Sequence, residues 1–310
     1  MDCGVKIYTM KFNDEFLKKF EKNFTKNVKL SNYSWFNLGG DAEFFFKPDD
    51  KNQLLDFFKE SKKHNVKTTL IGAGSNTLFR DNGVKGVVIK LGSNFSYTKL
   101  CENNIIEVGA ATLDRKLANF AKDNNLTNFE FLSCIPGSIG GAITMNSGCY
   151  DYDISKILVS INVIDKENLI EKEIKKENIK FFYRGTDLNK NLIILSAKFQ
   201  GIFCDKEKIE KKQSDFIKRK KISQPNQIKT CGSTFKNSIN GKKAWMLIKE
   251  SGCEKFKEGD ATISQQHCNF FVNNGKANSS DIENLIKKVK KTVLEKTGVD
   301  LELEIKIIGE

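Results

Sequence analysis

Histidine and proline are scarce in this 310-residue sequence, which has only His64, His267 and three prolines. The cysteines are widely spaced and form no C-x-x-C pair; they are Cys3, Cys101, Cys134, Cys149, Cys204, Cys231, Cys253 and Cys268. Zinc sites usually need paired cysteines or several histidines, and disulfide frameworks occur mainly in small secreted chains. The sequence therefore predicts no metal site, and its cysteines are typical of reduced, packed thiols in the cytoplasm.

Long apolar runs are also missing. The first twenty residues contain no apolar core of the kind that a signal peptide needs. No later stretch approaches the roughly 20 apolar residues that span a bilayer. We therefore expect a soluble cytoplasmic protein with no membrane insertion.

Positive charge is abundant, with 51 lysines and arginines against 39 acidic residues and a net charge of +12. The densest basic run, residues 218–221, closes a helical stretch, and other lysines are scattered over most predicted helices. This distribution favours a solvated lysine-rich surface, and no nucleic-acid partner is expected because basic residues and aromatics do not gather in one motif. A field that attracts a doubly negative small ligand is compatible with the same charge.

The pattern of apolar residues predicts an α+β fold. Strand-like and helix-like stretches alternate through the first third, which includes a helix predicted over residues 51–65 from apolar residues at helical spacing. Strands follow over residues 156–203, and two of them flank a turn at residues 165–168. A charged helix over about 205–222 then leads through Gln224 and Pro225 to a second unit. There, a capping box at Ser280 and Glu283 predicts the start of a helix that stops at Gly298. Alternating apolar residues after 300 predict a last strand with Glu302 and Glu304 on one face.

Two glycine-rich segments could bind a ligand through their backbones. The segment "LIGAGSNTLF" (70–79) leaves a strand and could turn several N–H groups towards phosphate oxygens, although a plain tight turn explains it equally well. It is not a Rossmann fingerprint, because Thr77 occupies the third glycine position. The segment "SCIPGSIGGAITMNSGCY" (133–150) is predicted to be a long loop without regular structure, and such loops are usually functional. Together they suggest one extended ligand with a pyrophosphate.

Four polar side chains are candidates for chemistry, each with a structural alternative. Ser233 in "TCGSTFKN" lacks the G-x-S-x-G pattern of a hydrolase nucleophile elbow and could simply bond a turn. Arg184 in "FFYRGTDL" could reach into a cleft or pack on Tyr183. Glu304 could lie on a solvent face in cross-strand ion pairs. His267 in "SQQHCNFFVN" is more often a core or orienting residue than a catalyst.

The order of these motifs resembles the UDP-N-acetylenolpyruvoylglucosamine reductase family, the MurB family of peptidoglycan precursor synthesis. The resemblance covers residues 28–309 and rests on "IGAGSN", "IPGSIGGA" with "NSGCY", "YRGT", "QP" with "CGSTFKN", "SQQHCNFFVN" and "GVDLELEIKIIG". It implies an FAD-binding region of the vanillyl-alcohol oxidase / p-cresol methylhydroxylase type and a smaller α+β substrate-binding domain. The short sequence spacing between Arg184 and Gln224 leaves little room for the long substrate-covering loop of one subtype, so the chain resembles the shorter, second subtype of the family.

The resemblance also divides the chain. It implies an N-terminal segment (1–35), an FAD-binding region of two α+β subdomains (36–203), a substrate-binding domain (204–300) and a C-terminal strand with Glu304 (301–310). The activity implied is that of an NADPH-dependent oxidoreductase, which reduces UDP-N-acetylglucosamine enolpyruvate to UDP-N-acetylmuramate through non-covalent FAD. The protein would serve cell wall biogenesis, and so cell shape and division, with the UDP-sugar and NADPH as partners and with a monomer as the expected state.

Site residues follow from the matching motifs. The catalytic residues implied are Arg184, Ser233 as proton donor, and Glu304, which with Arg184 stabilises an enolate. Substrate contacts are implied for Asn237 and His267. The predicted flavin loops, residues 72–77 and 135–142, contribute Gly72, Ala73, Gly74, Ser75, Asn76, Thr77, Ile135, Pro136, Gly137, Ser138, Gly140, Gly141 and Ala142.

The sequence departs from the family pattern at Thr186, Ser238, Leu303 and Lys306, where serine, proline, proline and arginine are usual. None of these changes removes a catalytic group. Two other functions remain open: an FAD-dependent oxidase of the same superfamily and a non-enzymatic basic binding protein. No histidine lies near Gly39 and Gly40 or near residues 72–76, so covalent attachment of a flavin there is not indicated.

Overall fold

A computed structural model describes residues 14–238 and 241–310. The helices are α1 (Asp14–Phe20), α2 (Lys51–Lys63), α3 (Asp114–Asp123), α4 (Ile139–Thr144), α5 (Lys206–Ser223), α6 (Ala244–Glu250) and α7 (Ser279–Thr297). The strands are β1 (Phe24–Lys29), β2 (Asp41–Phe46), β3 (Thr68–Leu70), β4 (Thr77–Phe79), β5 (Val84–Ile89), β6 (Thr98–Leu100), β7 (Ile105–Gly109), β8 (Leu126–Thr127), β9 (Gly148–Cys149), β10 (Tyr152–Asp153), β11 (Leu158–Asp165), β12 (Ile170–Lys175), β13 (Phe181–Phe182), β14 (Gly185–Thr186), β15 (Leu192–Gln200), β16 (Ile202–Phe203), β17 (Lys257–Glu258), β18 (Ala261–Ile263), β19 (Phe271–Asn273) and β20 (Lys306–Ile308). The predicted α+β fold class is confirmed.

A four-stranded mixed sheet with the order β1-β2-β5-β3 begins the fold. Helix α2 covers it and starts where the Asp50 side chain accepts a hydrogen bond from the Gln53 N–H, 2.8 Å. Its buried residues recur at helical spacing, and the Phe57 ring stacks on Phe46 of β2 with centroids 4.4 Å apart. The aromatic core fixes the strand that precedes the first glycine-rich segment, because β3 pairs with β5 in this sheet.

A five-stranded antiparallel sheet, β12-β11-β15-β7-β6, forms the next layer. Helices α3 and α4 contribute Leu117 and Ile143 to the core beneath it. Helix α5 lies against the same unit, since Phe216 belongs to this core. The predicted hairpin around residues 165–168 is confirmed as β11 and β12.

The second unit has its own core. The three-stranded sheet β17-β18-β19 packs with α6 and α7, and the core includes Leu247, Phe271 and Val289. The chain then returns to the first unit, because β20 pairs in parallel with β4 and Lys306 lies opposite Thr77. This last pairing brings the C-terminal residues beside the first glycine-rich segment.

The predicted capping box of α7 is wrong. The helix begins after Asn278, whose side chain accepts a hydrogen bond from the Asp281 N–H (2.8 Å), while the Asp281 carboxylate accepts one from the Asn278 N–H (3.0 Å). Ser280 lies inside the first turn. Asn and Asp form the same reciprocal contact as the Ser and Glu of the common pattern, so the cap lies two residues earlier. The predicted end at Gly298 is confirmed.

Replacement of Asn278 by alanine should therefore destabilise the protein by about 1 kcal/mol, because N-cap side chains contribute roughly 0.5–2 kcal/mol. Chemical denaturation measures this change. Ser280→Ala is the control: it removes only an exposed hydrogen bond from the Ser280 hydroxyl to the Asn278 Oδ1 (2.7 Å) and leaves the capping contacts in place, so it should lower the free energy of unfolding less than Asn278→Ala does. A larger loss with Ser280→Ala than with Asn278→Ala would show that the helix begins where the sequence pattern placed it.

Two further segments differ from the prediction. Residues 133–150 are not a structureless loop, because they contain the helix α4 and the strand β9. The last strand is also shorter than predicted: it begins at Lys306, and Glu304 precedes it. Glu302 and Glu304 are not equivalent, since the Glu302 side chain is 73% exposed and that of Glu304 only 16%.

The thiols that the structure describes are all free. Cys134, Cys231, Cys253 and Cys268 are buried, and Cys101, Cys149 and Cys204 are partly exposed. Cys3 lies outside the described residues.

Candidate active site

A cavity of about 1260 Å³ lies where the two units meet. Arg184 lines it from the first unit, and Ser233, Asn237 and His267 line it from the second. Gln224, at the end of α5, also faces it. The structure thus brings four of the predicted site residues to one opening, although they are up to 83 positions apart in the chain.

Arg184 occupies the turn of a small hairpin between β13 and β14, with a backbone φ of 59°. Its Nε donates to Glu304 Oε1 (2.9 Å), and its Nη2 donates to the Gly148 carbonyl (2.9 Å). The guanidinium also lies 4.8 Å from the centre of the Tyr183 ring. Both predicted alternatives are therefore present: the side chain packs on Tyr183 and reaches the cavity. These contacts hold a charged donor, with 21% of its side chain exposed, at a fixed orientation.

Glu304 is largely buried beside Arg184 rather than on a solvent face. Burial raises the pKa of its carboxyl above the ordinary value, while the charges of Arg184 and Lys236 oppose the rise. Its backbone N–H donates to the Thr234 carbonyl, 2.9 Å. The exposed Glu302 instead pairs with Lys236 at 2.5 Å. The protonated form of Glu304 consequently persists to a higher pH than that of a free glutamate.

Ser233 lies in a segment that backbone contacts fix on both sides. Ser233 forms an isolated antiparallel β-bridge with Phe270, and Phe235 forms one with Leu303, which precedes Glu304. Gly232 adopts a φ of 78°, which glycine allows at little cost, and a Cβ there would meet open space. The backbone conformation therefore accounts for glycine at position 232, whereas crowding does not. The serine side chain opens on the cavity.

Asn237 and His267 contribute differently to the cavity wall. The Asn237 Oδ1 accepts from the Ala244 N–H (3.0 Å), and its Nδ2 donates to the Tyr183 hydroxyl (3.4 Å). The Nδ1 of His267 accepts from the Asn269 N–H (3.3 Å), and burial lowers the pKa of the imidazole. The ring is thus neutral near pH 7 and suits orientation or hydrogen bonding better than charge.

The two predicted flavin loops meet in space. A Cβ at Gly72 would lie 2.8 Å from Ser138 Oγ, so the close approach of the loops requires glycine there. Lys90 donates to the Gly72 carbonyl at 2.7 Å, and burial lowers the pKa of its ammonium group. A bent ligand with a pyrophosphate fits two glycine-rich backbones that adjoin each other next to a lysine. The remaining members of the loops lie in the same two segments, 72–77 and 135–142.

Several residues at the site were not predicted. The Gly148 carbonyl orients Arg184, and it belongs to a motif that the sequence did contain. Asn269 is buried and holds Phe235 by two hydrogen bonds, of 2.8 and 3.0 Å. Four lysines also line the cavity, namely Lys243, Lys249, Lys255 and Lys257. Only the overall positive charge could have indicated the lysines, because they are spread over two separate stretches of sequence.

Across residues 14–238 and 241–310, no group of three or more His, Cys, Asp or Glu side chains is arranged to hold a metal ion. In the same part of the chain, no helix combines the length and apolar character needed to cross a bilayer.

Comparison with known proteins gives two matching family models. Residues 42–171 match an FAD binding domain, and residues 224–308 match the C-terminal domain of UDP-N-acetylenolpyruvoylglucosamine reductase. The UDP-N-acetylenolpyruvoylglucosamine reductase of Pelagibacter ubique (strain HTCC1062) is 46% identical over 300 residues, which cover 96% of this chain and 97% of that protein. The chain belongs to the MurB family. The reductase of Rickettsia akari (strain Hartford) is 42% identical over 287 residues, with 93% and 96% covered.

Solved structures agree with the MurB assignment. The crystal structure of the MurB reductase from Thermus caldophilus is similar with a TM-score of 0.80 at 29% identity, covering 92% of this chain and 98% of that one. The predicted family and its FAD-binding region are therefore confirmed. The oxidase alternative finds no support in these matches.

Proposed function

We propose that the chain reduces UDP-N-acetylglucosamine enolpyruvate to UDP-N-acetylmuramate with NADPH, through non-covalently bound FAD, in peptidoglycan precursor synthesis. The observation that carries this proposal is that Arg184, which is paired with the largely buried Glu304, lines one large cavity together with Ser233. FAD, when bound, would take a hydride from NADPH and deliver it to C3 of the substrate double bond. Residues 72–77 and 135–142 would hold it by their backbones.

Arg184 suits the carboxylate of the enolpyruvyl group, because contacts with Glu304 and Gly148 fix the guanidinium while its remaining N–H donors can bind a carboxylate with a defined orientation. Hydride addition at C3 places negative charge on C2 and on this carboxylate. A fixed cation at 2.9 Å from Glu304 lies where that charge develops and would stabilise it. The Gly148 carbonyl and the Tyr183 ring keep the guanidinium in place.

Glu304 would act as a neutral acid beside the enolate. Burial already raises its pKa. A substrate carboxylate that binds Arg184 would weaken the attraction between Arg184 and Glu304 and bring a second negative charge close. Both effects favour the protonated form further. The proton then lies beside the charge that forms during the reaction.

Ser233 would donate the proton that forms the new C2–H bond. A hydroxyl is a weak acid, but a carbanion is a strong base, so no histidine partner is required to deliver the proton. With a hydride at C3 and a proton at C2, the double bond is reduced and NADPH is oxidised. The serine proton is regained from water after the product leaves.

The cavity also offers contacts for the rest of a UDP-sugar. Four lysines line it, and they favour a pyrophosphate by direct attraction. Asn237 and His267 are the proposed contacts with the sugar nucleotide. The neutral imidazole can accept or donate a hydrogen bond there.

The remaining predictions concern organisation and place. The division at residues 35, 203 and 300 remains a prediction, although α5 packs on the FAD-binding region through Phe216. A monomer is sufficient for the proposed reaction, since residues of one chain line the cavity. We place the reaction in the cytoplasm, where a nucleotide-linked substrate and NADPH would both be available.

The proposal is tested by NADPH consumption of the yellow protein with and without the enolpyruvyl sugar nucleotide. Sustained consumption that requires the sugar nucleotide is expected. NADPH-reduced protein should wait for that substrate under air. Rapid oxidation by oxygen alone would indicate an oxidase, and a colourless protein would contradict a flavoenzyme.

A further inference from the structure

The segments that carry Glu304 and Ser233 are both joined to the predicted flavin loop at residues 72–77 by side-chain hydrogen bonds. The side chains that make these bonds have no direct part in the proposed reaction. The Asn76 amide donates from Nδ2 to the Glu304 carbonyl at 3.0 Å. The backbone carbonyl of Asn76 accepts a hydrogen bond from the Lys306 N–H at 2.9 Å, immediately before the residues of β4 that pair with β20. Asn76 therefore bonds the backbone on both sides of Ile305, and one of its two side-chain N–H donors is used within the protein.

Cys231, two residues before Ser233, makes a similar contact between its own segment and the flavin loop. Its thiol is buried and donates to the Thr77 carbonyl (3.3 Å), with the Gly74 carbonyl 3.7 Å away. The Ser34 hydroxyl lies 3.9 Å from the sulfur and itself donates to the Thr77 carbonyl at 2.7 Å. Burial raises the pKa of the Cys231 thiol to about 11, so it remains a protonated donor near neutral pH.

We propose that Asn76 and Cys231 are positioning residues, which fix Glu304 and Ser233 relative to the flavin loop that both contact. This inference rests on the proposed function. It changes the sequence-based role of Asn76 from cofactor contact to support of the acid. Glu304 then has both backbone groups fixed, because its N–H bonds the Thr234 carbonyl and its carbonyl bonds Asn76.

The geometry explains why such ties are useful. Cys231, Leu303 and Ile305, which neighbour Ser233 and Glu304, belong to the core of the second unit, whereas β3, which leads into the flavin loop, pairs in the sheet of the first unit. Reacting groups must be held within a fraction of an ångström, and a misplacement of 1 Å can lower a rate about 100-fold. Two side-chain hydrogen bonds across the boundary transmit the position of the flavin loop to the acid and to the proton donor.

The test separates the two half-reactions in Asn76→Ala, Asn76→Ser, Cys231→Ala and Cys231→Ser holoenzymes. Bleaching of the flavin by NADPH should stay within about threefold of the unmodified protein. Its reoxidation by the enolpyruvyl sugar nucleotide should slow about tenfold or more in the alanine variants, mainly in kcat rather than KM. Cys231→Ser keeps a donor and should recover part of the rate.

Matched controls lose the same kinds of contact elsewhere. Asn23→Ala removes a side-chain amide that donates to the Lys47 carbonyl at 2.7 Å, and Cys253→Ala removes a buried thiol 3.8 Å from the Ser251 carbonyl. Both should retain the reoxidation rate even if they lower stability. Equal slowing in the controls would mean that general loosening, not positioning, sets the rate.

Retention of FAD shows whether the Asn76 side chain positions Glu304 or binds the cofactor. Flavin fluorescence after dilution should show FAD affinity within about threefold of normal in all Asn76 variants. A loss of FAD affinity with normal reoxidation would overturn the proposal and make Asn76 a cofactor ligand. If the unmodified protein itself shows no reoxidation by the sugar nucleotide, the proposed function fails instead. Normal reoxidation in every variant would refute positioning while leaving that function intact.

Discussion

Ser233→Ala should still allow NADPH to bleach the flavin but should nearly stop reoxidation by the enolpyruvyl substrate. Loss of a positioned general acid typically lowers a rate by about 10² to 10⁴. The effect should be confined to the second half-reaction, because the proposed protonation of C2 by Ser233 follows the transfer of hydride to C3. Stopped-flow absorbance of the flavin measures both steps separately.

Ser238→Ala is the control for this change, since Ser238 is exposed at the edge of the same segment. It should react like the unmodified protein in both steps. Normal turnover of Ser233→Ala would contradict the assignment of the proton donor. Equal slowing of both half-reactions would indicate that the substitution disturbs the flavin rather than the proton transfer.

Glu304→Gln should slow substrate reduction about 10² to 10³-fold, a loss typical of removing one group that stabilises a developing oxyanion. It should also change the pH dependence. Burial raises the Glu304 pKa, so the acid form persists above the usual range of glutamate. A rate that needs this acid falls as the pH rises through the raised pKa. Glutamine does not titrate, and the alkaline decline assigned to Glu304 should disappear.

Glu302→Gln is the matched control. Glu302 lies only two positions before Glu304 in the sequence, but its side chain is exposed and pairs with Lys236. It should keep both the rate and the alkaline decline of the reoxidation step. The measurement is the rate of flavin reoxidation between pH 5 and 10, with the bleaching rate followed beside it. An unchanged decline in Glu304→Gln would assign the titration to another group.

Local sequence was sufficient for most elements. Apolar residues at helical spacing correctly predicted α2 and α7, the long charged stretch correctly predicted α5, and the strand-like stretches around residues 165–168 correctly predicted a hairpin. Start signals were less decisive, because Asn278 with Asp281 and Ser280 with Glu283 offer competing caps within one turn. Small-residue composition was misleading in the segment 133–150, where burial of Ile139 and Ile143 stabilises a short helix.

The sequence by itself determined the family, since motif order needs no coordinates, and with the family it determined the predicted roles of Arg184, Ser233 and Glu304. Only the tertiary structure decided that Glu304 is buried against Arg184 while Glu302 is exposed. Strand alternation cannot tell two glutamates on one face apart, because what differs is the neighbour that each meets from another part of the chain. For the same reason, the contacts of Asn76 depend on the pairing of β20 with β4, and those of Cys231 depend on its burial against the Gly74 and Thr77 carbonyls.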